Sequence, residues 1–157
     1  MLFRSFILGH VLGGATRGLL VATVMLLAMQ PFVSLIPVHP GLVLFHAVAS
    51  ALVLAMLGLI AGLWAQKWDN LAMINNFTIT PLAFLSGVFF STESLPELWR
   101  AANLFNPFFY MIDGFRYGFI GHADASPSLG IAMILTLVMA LWLVCHRLVA
   151  TGYKLKP

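Results

Sequence analysis

The chain has 157 residues, 61% of them hydrophobic and only 8% charged, with a net charge of +3 and a mean hydropathy of +0.99. That composition leaves too little polar surface for a water-soluble fold and points to an all-α membrane protein. The basic residues are scattered rather than gathered in a stripe, which argues against a nucleic-acid partner.

A membrane-spanning helix needs about 20 apolar residues, and four runs qualify. The first covers Val11 to Met29. No small-residue cleavage site with a polar domain follows it, so it is read as a retained span and not a secretion signal. Gly9, Gly13, Gly14 and Gly18 give it a close-approach face, and Arg17 sits inside it. A cation at mid-depth costs about 2.5–3.5 kcal/mol, so Arg17 either snorkels to the headgroups or faces the bundle and lines a path. After the break Gln30 to Pro40, a second span covers Gly41 to Trp64, with Ala51, Ala55, Gly58, Ala61 and Gly62 as a second small-residue face. The third covers Leu71 to Phe90. Pro81 removes a backbone donor midway along it, Thr78 and Thr80 are placed to serve freed carbonyls, and a kink is expected. If that kink is a hinge, Pro81→Ala alters transport more than folding.

The stretch Ser91 to Pro127 is too apolar for an ordinary loop and too interrupted to cross a membrane. It reads as an external re-entrant or interfacial hairpin over 94–121. Ser94 with Glu97 forms a capping box for a helix from Leu95 to Leu104. Asn106 followed by Pro107 starts a second helix, which runs to Ile120 and is stopped by Gly121. That helix carries Phe108, Phe109, Tyr110, Phe115, Tyr117 and Phe119, with Asp113 and Arg116 three apart. It is either an aromatic anchor at the headgroups or an outer gate held by the Asp113–Arg116 pair. The last span covers Ser128 to Leu148.

Four spans put both termini on one side. Arg4, Lys67, Arg147, Lys154 and Lys156 all fall there, so that side is assigned to the cytoplasm. Chemistry is sparse. The five histidines, His10, His39, His46, His122 and His146, are dispersed, which argues against a metal site. No serine or acid sits at nucleophile–base spacing and no phosphate-binding loop occurs, so no catalytic residue and no bound cofactor is expected. Cys145 reads as a small buried hydrophobe.

Within Phe77 to Gly121, three groups of residues form a pattern: Thr80-Pro81-Leu82 with Leu85-Ser86-Gly87, then Leu95-Pro96 with Trp99, then Asn106-Pro107 leading to Gly114-Phe115-Arg116-Tyr117-Gly118. With Gly9 to Leu19, this resembles the membrane subunits of ATP-binding-cassette transporters of the type-2 permease family, in the bacterial drug, polysaccharide and nodulation-factor exporter branch. The resemblance implies a multi-pass permease of the bacterial inner membrane, paired with a second permease copy and driven by a separate ATPase that uses ATP and Mg. It also implies two earlier spans and a coupling helix with no counterpart here, so a carboxy-terminal fragment is expected. Because Leu2-Phe3-Arg4-Ser5 is what a common sequencing adaptor encodes in one reading frame, Met1 to Ser5 are expected to be foreign to the natural protein.

The expected function is therefore the translocation path of an exporter for amphipathic, drug-like or lipid-linked cargo. The alternative is a small homo-oligomeric channel or scaffold without an ATPase; an intramembrane enzyme would need convergent acids, histidines or serines that the spans lack. Candidate path or gate residues are Arg17, Thr78, Thr80, Pro81, Phe84, Phe89, Phe90, Tyr110, Asp113 and Arg116.

Overall fold

The computed structural model describes residues 2–33, 36–65, 68–88 and 96–151, and every regular element among them is helical. Helix α1 spans Leu2–Met29 and α2 spans Pro40–Trp64. The first helix begins earlier than its apolar run, because nothing between Leu2 and Val11 breaks a helix. Its packed side is a stripe at near-fourfold spacing: Ile7, Val11 and Ala15 are buried, and Leu19, Ala22 and Leu26 are half-buried. The stripe lies on α2, where a Cβ on Gly14 would stand 3.1 Å from the Ala55 Cβ and one on Gly18 would stand 3.9 Å from that of Ala51. Gly9, Gly13, Gly58 and Gly62 have no such neighbour, so half of the expected small-residue faces are used.

The third apolar run is not one continuous α-helix. It is divided into α3 (Trp68–Ile74), a π-helical turn (Asn75–Ile79), α4 (Thr80–Ala83) and a second π-helical turn (Phe84–Val88). Pro81 explains the first irregularity. Its ring crowds the carbonyl four residues back and it has no N–H to give, so the preceding turn widens. The Thr80 N–H and its Oγ1 both donate to the Asn75 carbonyl, the latter at 2.9 Å. Gly87, inside the second π-helical turn, takes a positive φ of 84°, open to glycine at no steric cost.

Helix α5 spans Glu97–Asn103 and is preceded by Pro96 in extended conformation. The helix thus starts two residues later than expected, since proline cannot donate and here sits just outside the first turn. The proposed cap Ser94 lies outside the described residues. Helix α6 spans Pro107–Ile120, and both of its ends fall where the sequence puts them. The Asn106 Oδ1 accepts from the Phe108 N–H at 3.1 Å, and Gly121 closes the helix at φ 72°. Helix α7 spans Pro127–Ala150.

Among the described residues, three helical segments are long and apolar enough to cross a membrane: Ser5–Met29, Pro40–Trp64 and Pro127–Ala150. Helix α2 is the central post. At one end, Ala49 and Val53 pack with Phe108, Phe109, Tyr110 and Met111 of α6 and with Ile134 of α7. At the other, Met56 and Leu59 pack with Ile7 and Val11 of α1 and with Cys145 and Val149 of α7.

Candidate functional site

Helix α6 approaches α2 through two glycines four apart. A Cβ on Gly114 would fall 2.0 Å from the His46 Nε2, and one on Gly118 would fall 2.5 Å from the Val43 Cγ2 and 3.0 Å from the Val43 backbone nitrogen. Only a side-chain-free helix can lie this close. The same end of α6 is tied to the α1–α2 turn, whose Val38 and His39 amides donate to the Phe119 and Gly118 carbonyls at 3.3 and 2.9 Å. His39 also stacks on Tyr117 with ring centroids 5.4 Å apart.

A cluster of charges joins α6 to the start of α7. Asp113 is buried and accepts from the Arg116 Nη2 at 2.9 Å, from the Asp124 N–H at 2.9 Å and from the Ala125 N–H at 3.0 Å. Arg116 Nη2 also lies 2.7 Å from an Asp124 carboxylate oxygen. The hydrogen bond to Asp124, outweighing partial burial, and then the charges of both acids hold the Arg116 pKa above its ordinary value, so the guanidinium is permanently charged. The expected Asp113–Arg116 pair is present, and Asp124 is its third member.

Asn106 forms a second joint, from α6 to the broken third helix. Its Nδ2 donates to the Leu82 carbonyl at 2.8 Å and to the Ser86 Oγ at 3.0 Å, and lies 3.4 Å from the Asn103 Oδ1. Asn103, Asn106 and Ser86 are all buried. The broken third helix is therefore held, at Leu82 in α4 and at Ser86 in the second π-helical turn, by a side chain from the hairpin. Tyr110, also buried, donates its hydroxyl to the Leu104 carbonyl at 2.9 Å, and burial pushes its phenol pKa up, keeping it a neutral donor.

Between α1, α2, α4 and α6 lies a groove of about 690 Å³. Its walls are Leu19 and Ala22 of α1, Ala47 and Leu54 of α2, and Met111 and Phe115 of α6, among other apolar residues. Three polar residues join them: His46, Ser50 and Arg116. The His46 Nδ1 lies 2.9 Å from the Leu42 carbonyl, so that nitrogen carries the proton, while its buried Nε2 has no hydrogen-bond partner.

Of the candidate residues from sequence, Asp113 and Arg116 come together and Arg116 alone of the described ones also lines the groove. Thr80 and Pro81 sit in the irregular third helix, with Thr80 bonded as expected; Thr78 and Phe84 are exposed on it. Phe89 and Phe90 lie outside the described residues. Arg17 is exposed on α1, one position from Gly18, and has no acidic partner among the described residues. Sequence reasoning missed Asn106 as a bridge, Asp124, and the Gly114–Gly118 contact, although glycines four apart were a readable signal.

Residues 3–120 match the family described as ABC-2 type transporter. The chain belongs to that family. It is 34% identical to the inner membrane transport permease YadH of Escherichia coli (strain K12) over 151 residues, covering 96% of this chain and 59% of the relative. It is also 33% identical to nodulation protein J of Rhizobium leguminosarum bv. trifolii over 73 residues, 46% of this chain and 28% of that protein. The nodulation protein J of bv. viciae is 29% identical over 103 residues, 66% and 38% of the two chains. The ABC-2 chain thus spans about three-fifths of the length of that permease from Escherichia coli. No solved structure matches it.

Proposed function

We propose that this ABC-2 chain is a transmembrane permease subunit of an ATP-driven exporter for amphipathic, drug-like or lipid-linked cargo. It works in the bacterial inner membrane beside a second permease copy. A separate ABC ATPase supplies ATP hydrolysis with Mg, and the chain contributes the wall of the path. The third apolar run completes a four-span layout with cytoplasmic termini, and α5 and α6 form the external hairpin.

The observation that carries this reading is the burial of α6. A hairpin that merely anchored at the headgroups would leave its aromatic rings at the surface. Here Phe108, Phe109, Tyr110 and Met111 are buried against α2 and α7. The helix is fastened at one end by Asn106 and further along by Asp113. That is the arrangement of an outer seal with defined latches, and Asp113, Arg116 and Asp124 are its gate residues.

The test is co-purification with an ABC ATPase from the same organism, followed by ATP-dependent uptake of a fluorescent amphipathic dye into inverted vesicles. Export that needs ATP and falls in Asp113→Asn is expected. Dye flux that ignores ATP and the ATPase favours a homo-oligomeric channel instead.

A further inference from the structure

We propose that the groove between α1, α2, α4 and α6 is a binding site for a neutral amphiphile, with an aliphatic or aromatic body and one uncharged hydrogen-bonding group such as a hydroxyl or amide. The proposal deepens the transport reading by naming the class of cargo and the place it sits, and it rests on that reading for the cargo's origin.

Size and wall chemistry set the body. A groove of about 690 Å³ falls within the roughly 300–1,000 Å³ of small-molecule sites, and its apolar lining from several helices favours a hydrocarbon or ring. The polar group is set by α2. Thr16, Thr23 and Thr136 each return their hydroxyl to the carbonyl four residues back. Ser50 does not, and its half-buried hydroxyl has no partner among the described residues while it lines the groove. His46 lies one turn earlier and also lines the groove, but its Nδ1 is taken by the Leu42 carbonyl and its Nε2 is closed in against Gly114, so the Ser50 hydroxyl is the group on offer. A half-buried hydroxyl without a partner in an apolar wall is costly unless something arrives to bond it.

Charge excludes the other amphiphiles. Among the described residues, Arg116 is the one charged residue that lines the groove, and it is held by Asp113 and Asp124, which do not line it. A phosphate or ammonium headgroup drawn into the groove would find no free counter-charge, and would lose its hydration without compensation.

The full chain in phosphatidylcholine nanodiscs is photolabelled with hexadecanol carrying a mid-chain diazirine, in parallel with the matching diazirine hexadecane. Labelling should concentrate in the α2 and α6 peptides that line the groove, several-fold above the exposed α7 residues Leu135, Met139 and Leu143. Ala47→Trp and Ala22→Phe fill the groove from opposite walls, and each should cut that labelling about tenfold. Using both variants keeps the test alive if one fails to fold. Ser50→Ala should erase the advantage of the alcohol over the alkane.

Even labelling of all apolar helices overturns the proposal. So does equal labelling by alcohol and alkane in the unsubstituted chain, or competition by hexadecyl phosphate as strong as by hexadecanol. Disulfide dimers of Ala47→Cys would seat a second copy in the groove and would also overturn it. None of these readouts uses ATP, so lost export with groove labelling intact counts against the exporter reading alone.

Discussion

Helix α1 has 28 residues and buries one stripe of them, whereas α6 has 14 and buries seven. Hydropathy ranks them in the opposite order of their structural weight. The bare faces of α1 carry Leu20, Val24 and Leu27, each more than 60% exposed, which suits lipid and requires no particular partner. Helix α6 instead meets α2 through glycines, the turn before α7 through a carboxylate and the third helix through an amide. Length and greasiness put a helix in the membrane; directional contacts decide where it stands among the others.

Substitutions in the two helices should therefore separate widely, and the single thiol of Cys145, buried and released on unfolding, offers the readout through a thiol-reactive dye in detergent. The largest effect is expected for Asp113→Ala, about 3 kcal/mol, because it leaves two backbone amides and part of a guanidinium without their acceptor. Next is Gly118→Ala, about 2 kcal/mol, since the new methyl meets the Val43 backbone, which no rotamer change can move. Gly114→Ala should cost about as much, but only His46 stands in its way. Adding His46→Ala should restore much of the lost melting temperature, and the same addition should do nothing for Gly118→Ala. Asn106→Ala follows, at about 1–2 kcal/mol for a lost helix cap and the lost bonds to the Leu82 carbonyl and the Ser86 hydroxyl. Val24→Ala on α1 should change the melting curve by less than about 0.5 kcal/mol. A costly Val24→Ala would mean that the bare face of α1 is covered, and the contrast between the helices would close.

What could be read in advance depended on whether the signal was local. Helix α6 was legible to its ends because Asn106, Pro107 and Gly121 each act within a turn. The Asp113–Arg116 pair was legible because three residues on a helix make neighbours. Asp124 was not, since it reaches the cluster across the α6–α7 turn and no periodicity reports that. Nor was the shape of the third helix: Pro81 announced a disturbance, but the widened turns depend on which carbonyls Thr80 and Asn106 take up. His46 looked like any isolated histidine until Gly114 was seen to lie against it.

One consequence concerns depth. Short helices in membrane proteins are usually pinned near water, because their first amides and last carbonyls need it. In α6, Pro107 has no amide to satisfy, and the Phe108 and Phe109 amides go to Asn106. At the far end, the Tyr117, Gly118 and Phe119 carbonyls are taken by Gly121, His39 and Val38. With most of its terminal backbone groups bonded by protein, α6 depends far less on the aqueous boundary than a bare short helix would.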